Sequence, residues 1–278
     1  MLSGSGCARQ TVFERRHDFY EHPTRRYWSY RGTHAHTIIE RAGPLVEPYG
    51  WLQELSLKTT LTYPDEPRPI FDDQGAFTGR VDKKYPLVIE VGGTTDAYRP
   101  VVAPYPLWDF KSMADAKALM FIRGEKGGTF TPHLDDRWVW QLNIYRWLVS
   151  RTKIPAALKK RFNLRGTHFP APEFLGIQGI SMMHIPRSGQ QHRLKNEPKP
   201  YEIDDVPVLA LEDIEEFVRG RALQWYRWLV LGDTPPVVPK DQDWLCKNCA
   251  FNGDLIDGEI CHPSIERQQV QDTELELV

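Results

Sequence analysis

Three short stretches of this sequence carry residue types that could do chemistry together. In Trp108-Asp109-Phe110-Lys111-Ser112 an acid precedes a lysine by two positions. Side chains alternate along a strand, so Asp109 and Lys111 leave one face and deliver a carboxylate and an ammonium to one place. Gly79-Arg80-Val81-Asp82 offers a second carboxylate on a neighbouring strand. Two such carboxylates make a hard-oxygen site suited to Mg2+ or Mn2+. Gly32-Thr33-His34-Ala35-His36 with Glu40 adds imidazole. His36 and Glu40, four apart, share one helix face while His34 points away, and a His36 ligand would tilt the choice toward Mn2+. A metal held this way lowers the pKa of a bound water and neutralises charge on a phosphodiester. Lys111 would orient the nucleophile or stabilise the transition state. Each stretch alone is commonplace as solvated surface charge.

The four cysteines form a second constellation. Cys246-Lys247-Asn248-Cys249 followed by Cys261 is a C-x2-C-x11-C spacing, and Cys7 lies near the other end. Cys246, Cys249 and Cys261 with His262 would make a Cys3His zinc set; with Cys7 instead, four thiolates are the number one 4Fe-4S cluster takes.

The elements that must position these residues are legible in outline. Tyr27 to Arg41 reads as a helix stopped by Gly43-Pro44. Trp51, Leu55, Leu57 and Leu61 alternate with polar neighbours as a strand ending before Pro64, followed by a proline-rich loop to Pro69. Phe77 to Lys83, Leu87 to Val91 and Leu107 to Lys111 are short β-prone segments of an antiparallel meander, with Gly92 to Pro106 as a loose insertion. Asp135 to Ser150 is a helix, since Trp138, Leu142, Tyr145 and Leu148 recur at helical steps, and Gln141 and Tyr145 share a face. Phe174 to Ile185 is a further strand, and Leu211 to Leu231 a long helix with an apolar stripe that belongs to the core. The polar tail from Glu266 is expected to be disordered.

Composition sets limits. The 278 residues carry 35 Lys+Arg against 37 Asp+Glu, a formal net charge of −2. Global attraction for nucleic acid is thereby excluded, so a polyanion must be held by local basic patches or through metals. The best such patch is Arg151 to Arg165, which holds six Lys and Arg and no acid. Arg9, Arg15, Arg16, Arg25 and Arg26, interleaved with Phe13, Phe19, Tyr20, Tyr27 and Trp28, offer phosphate contacts and stacking surfaces for a single strand. No apolar run approaches the ~18 residues of a membrane span, and mean hydropathy is −0.49. With no apolar run in the N-terminal stretch before Arg9, the expectation is an untargeted cytoplasmic protein without a membrane partner.

Taken in order, Gly32-Thr33…His36…Glu40, Gly79-x-x-Asp82, Asp109-x-Lys111 and Gln141-x-x-x-Tyr145 resemble the RecB-type motif series of the PD-(D/E)XK nuclease superfamily. Leu107 to Met113 is similar to the metal-binding hairpin of its phage and CRISPR-associated members. The resemblance runs from about Cys7 to Cys261. It implies an α/β fold with a mixed central sheet flanked by helices. It also implies that His36, Asp82, Asp109 and the Phe110 carbonyl bind Mn2+ or Mg2+, that Lys111 is catalytic, and that Gln141 and Tyr145 contact DNA or brace the site. The spacing departs from the family in one respect, since the gap from Asp82 to Asp109 exceeds the usual hairpin. Asp82-Lys83-Lys84 with Asp72 or Asp73 is therefore an alternative register, and Glu90 is a further acid that lacks the lysine.

The cysteine placement resembles the iron-sulfur subgroup, which implies a structural 4Fe-4S cluster on Cys7, Cys246, Cys249 and Cys261. A single nuclease domain over 1–265 is expected, with 1–26 and 232–265 forming the cluster subdomain. The activity implied is a metal-dependent DNA exonuclease acting on single-stranded or free ends, 5′ to 3′ favoured, working alone, as a homo-oligomer or within a recombination or CRISPR complex. The rival expectation is a catalytically silent nucleic-acid-binding scaffold whose cysteines hold zinc.

Overall fold

The structure is a computed structural model that describes residues 7–17, 37, 41, 43–113, 136–181, 201–203, 206–237, 249, 251, 255–256 and 259–260. Its elements run α1 (Ala8–Arg16), α2 (Gly43–Val46), β1 (Leu52–Phe71), β2 (Phe77–Tyr98), β3 (Leu107–Met113), α3 (Asp136–Arg151), α4 (Ala156–Arg161), β4 (Leu175–Ser181), β5 (Tyr201–Ile203), α5 (Leu211–Tyr226), β6 (Leu255–Ile256) and β7 (Glu259–Ile260). The fold class is α/β. Strands β1 to β5 form one mixed sheet in chain order, antiparallel except for the β3–β4 pair, which is parallel. A parallel pair needs a crossover, and the chain between β3 and β4 contains α3 and α4.

The expected meander is instead one very long hairpin. β1 continues through Pro64, Pro67 and Pro69 to Phe71, and β2 is unbroken from Phe77 to Tyr98. The segment expected as a loop at 64–69 is strand, and the insertion expected over Gly92 to Pro106 is strand as far as Tyr98. β1 is an edge strand, so its outward positions need no ladder partner and tolerate proline, and Pro67 faces Pro86 where the register shifts. Gly92 pairs with Lys58 in the ladder, and the position requires glycine because a Cβ there would meet the Leu57 carbonyl at 2.8 Å.

Leu57, Leu61, Leu107, Leu175 and Ile177 project from the sheet into a core closed by Leu142, Trp147 and Leu148 of α3 and Ile214 and Val218 of α5. The apolar stripe of α5 is core, as its spacing predicts. Asn143 is a polar pin in this layer. Fully buried, it donates to the Pro207 carbonyl and accepts from the Leu209 N–H, both at 2.9 Å, so α3 fixes the segment that leads into α5. The helix expected over Tyr27 to Arg41, which carries His36 and Glu40, lies outside the described residues except for Thr37 and Arg41, both helical.

A second, small core joins distant parts of the chain. Val12 and Phe13 of α1 pack on Trp225 and Phe251, with Cys249 against the same cluster. Arg9 Nε donates to the Pro235 carbonyl at 2.8 Å, and Arg16 donates to the Trp228 and Asp233 carbonyls. This corrects part of the N-terminal reading: Phe13 is fully buried, and Arg9 and Arg16 tie down backbone. A hairpin of β6 and β7 returns the chain after Cys249 to the position before Cys261.

Replacing Asn143 by leucine keeps the volume but strands the Leu209 N–H and Pro207 carbonyl, so it should cost about 1–3 kcal/mol. Urea unfolding at equilibrium checks this, with an unchanged midpoint as the contrary result.

Candidate active site

Asp109 and Lys111 leave the same face of β3, as alternation requires, beneath α3. Asp109 is only 3% exposed. Lys111 Nζ lies 2.6 Å from Asp109 Oδ2 and donates to Gln141 Oε1 at 2.8 Å. Gln141 Nε2 turns toward the Tyr145 hydroxyl at 3.3 Å and Asp109 Oδ1 at 3.5 Å. The ring of Trp138, one turn earlier on α3, has its centroid 5.9 Å from the lysine ammonium. The four-residue spacing of Gln141 and Tyr145 thus does what the sequence predicts, bringing both over the D-x-K strand.

The second carboxylate is Asp96, which the sequence reading missed. Its Oδ2 accepts the Phe110 backbone N–H at 2.5 Å, binding the end of β2 to the middle of the D-x-K motif. Asp82 does not reach this place. It pairs across the hairpin with Arg68, its Oδ1 accepts the Lys84 N–H, and it stands 14 residues from Asp96 on the same strand. That is roughly 45 Å of extended chain. The alternative register built on Asp82, Lys83 and Lys84 lies out on the arm with it. Glu54 is a further acid that sequence reasoning passed over. It interrupts the β1–β2 ladder between Gln53↔Ala97 and Leu55↔Thr95, directly across from Asp96, with φ +49°.

Two glycines make room for this arrangement. A Cβ on Gly93 would stand 3.0 Å from the Tyr145 ring, and one on Gly176 would stand 2.5 Å from the Trp108 ring. Gly93 thus lets Tyr145 lie on β2, beside a groove of about 620 Å3 bordered by Gln141, Tyr145, Trp225 and Tyr226.

The electrostatics are those of two acids held together. Burial pushes the Asp109 carboxyl up, the Lys111 ammonium pulls it back, and Asp96 raises it further, to about 6. Tyr145 is raised by burial and, against its Gln141 hydrogen bond, by the charges of Asp109, Asp96 and Glu54. Asp109 Oδ2 is buried, and the Lys111 ammonium 2.6 Å away is its close ionic contact. Two carboxylates held together with a single ammonium leave negative charge that a divalent ion would offset. Among the described residues no group of three or more His, Cys, Asp or Glu is gathered. The set here is two carboxylates, which fits Mg2+, an ion held by one or two carboxylates plus waters and phosphates.

His36 lies outside the described residues, as do Cys246 and Cys261. Cys7 is buried and caps α1, its Sγ accepting the Gln10 N–H, and Cys249 is partly buried; both lie well apart in sequence from the carboxylate site.

No family model and no curated protein matches the chain. Among solved structures, that of SSO0001 is similar at 16% identity and a TM-score of 0.40, covering 90% of this chain and 80% of that one. A likeness so low carries no argument here.

An aspartate raised from 3.8 to about 6 holds a proton in the native protein that the unfolded chain has released. Metal-free stability should therefore fall as pH rises from about 4 to about 6 and level off above. Asp109→Asn should flatten that slope and stabilise the metal-free protein at neutral pH by up to about 3 kcal/mol. Denaturant titrations in EDTA across this window test it, and parallel profiles for the two proteins would refute it.

Proposed function

We propose that this protein is a metal-dependent DNA nuclease of the PD-(D/E)XK type. The observation that carries the reading is the convergence of Asp96, Asp109 and Lys111, from adjacent strands, with Gln141 and Tyr145 of α3. The register Asp96…Asp109-x-Lys111 removes the long gap that the Asp82 assignment left, because a single turn now separates the two acids. The helices flanking the mixed sheet agree with it.

Asp96 and Asp109, with the Phe110 carbonyl and His36, would hold Mg2+ or Mn2+. When bound, the ion supplies an activated water and neutralises charge on the scissile phosphate. The chain's own residues do the rest. Asp96 fixes the D-x-K strand through the Phe110 N–H. Lys111 places an ammonium where the phosphate oxygens and the attacking water must pass, stabilising negative charge as it develops. Gln141 holds that ammonium at one end and reaches Tyr145 at the other, so the lysine has a fixed direction before substrate arrives. Burial by α3 keeps the local dielectric low, which strengthens each of these interactions.

Action on single-stranded or free ends, 5′ to 3′, is part of the proposal, as is a structural 4Fe-4S cluster on Cys7, Cys246, Cys249 and Cys261. Support for the cluster comes from the small core, where the helix capped by Cys7 and the segment carrying Cys249 pack on Trp225. A zinc site on Cys246, Cys249, Cys261 and His262 remains the competing assignment, and it leaves Cys7 without a role.

Nucleotide release from DNA with Mn2+ or Mg2+ tests the nuclease reading. Lys111→Ala and Asp96→Asn should each lower the rate at least ~100-fold, consistent with loss of charge stabilisation, whereas Asp82→Asn should leave it unchanged. Full activity in Asp96→Asn would refute the register, and no release by the parent protein would leave the scaffold reading. Anaerobically purified protein should be brown and contain iron; colourless protein with stoichiometric zinc would refute the cluster.

A further inference from the structure

The basic segment is not uniformly available. Arg151 is paired with Glu215 and Arg161 with Glu47. Lys153, Lys159, Lys160 and Arg165 are exposed and have no ion-pair partner among the described residues, and the nearest following acid in the sequence, Glu173, acts on Arg146. These free cations are gathered by the backbone. Lys153 stands opposite His168 in a β-bridge, which puts both side chains on one face, and the turn after α4 closes when the Leu164 N–H reaches the Lys159 carbonyl at 3.1 Å.

An independent feature lies against them. A cleft of about 370 Å3 is bordered by Val101, Tyr105, Phe162, Arg165 and His168. Its wall at Pro170 accepts a 2.6 Å hydrogen bond from the Tyr98 hydroxyl, and Tyr98 leaves β2 on the same face as Asp96, two residues or about 7 Å further on. Arg165 borders this cleft beside Tyr105 and His168, and Lys153 stands opposite His168; a cation beside a cleft with an aromatic ring is what a phosphodiester with an unpaired base requires.

We infer that Lys153, Lys159, Lys160 and Arg165 with the Tyr105 cleft form a binding site for single-stranded DNA, the phosphates on the cations and one base against Tyr105. This inference rests on the nuclease reading for the identity of the polymer, but not for binding itself. A duplex is disfavoured because its bases are stacked and cannot enter the cleft.

The test is fluorescence anisotropy of a labelled oligodeoxythymidylate in EDTA, over a range of salt, on the full chain. The triple variant K159E/K160E/R165E should raise Kd at least ~10-fold and make the plot of log K against log salt shallower by about 2, three phosphate contacts at ~0.7 each. Tyr105→Leu should weaken binding while leaving the salt slope unchanged, since stacking releases no counterions. Hydrolysis of bis-p-nitrophenyl phosphate, too small to span the two sites, should be the same in the triple variant as in the parent. An unchanged Kd and slope in the triple variant would overturn the inference, as would equally tight, equally sensitive binding of polyglutamate. DNA binding that depends on these residues in a protein without hydrolytic activity would support it while removing the nuclease reading.

Discussion

Everything at the carboxylate site depends on one short contact, the Phe110 N–H held by Asp96. It joins the end of β2 to the centre of β3 at the point where two acids face each other. Two carboxylates side by side repel, and burial under α3 deprives them of the water that would screen the repulsion. The chain offsets this with a backbone donor for one acid and an ammonium for the other. Even so, Asp109 is driven up to about 6. Stability alone does not favour such an arrangement. Strain of this kind concentrates where a fold gives up stability for function, and a divalent cation relieves it directly.

The surrounding structure can be understood as support for that point. Long strands carry Asp96 inward, and Gly93 keeps β2 clear of Tyr145 so that α3 can lie close. α3 in turn is anchored by its apolar face and by Asn143, so Gln141 is presented to Lys111 from a rigid element. The second core, where α1 meets Trp225 and Phe251, secures the far end of α5. Arg165, in the turn after α4, borders a cleft whose wall at Pro170 accepts the Tyr98 hydroxyl.

The local patterns were legible where a single period decided them. The D-x-K pair, the Gln141–Tyr145 helix and the apolar stripe of α5 all follow from alternation or helical repeat. The partner acid was not legible. Gly92-Gly93 and Pro100 reads as loop, and Gly79 before Asp82 satisfies the expected motif, so the wrong acid was the better match on sequence alone. One signal did point elsewhere: the gap from Asp82 to Asp109 is too long for one turn, whereas Asp96 to Asp109 is not.

The sequence by itself therefore determined which face each local residue takes, which segments are core, and that two acids and a lysine were candidates to meet. It also determined the cysteine spacing, because ligand spacing is a property of the chain. Only the tertiary structure decided that Asp96 is the acid beside Asp109, that Asp82 lies on the arm, and which basic residues are free. The physical reason is that strand pairing is set by long-range contacts. Proline on an edge strand and glycine against a tyrosine ring are tolerated or required only once the neighbouring element is in place, and neither neighbour is adjacent in the chain.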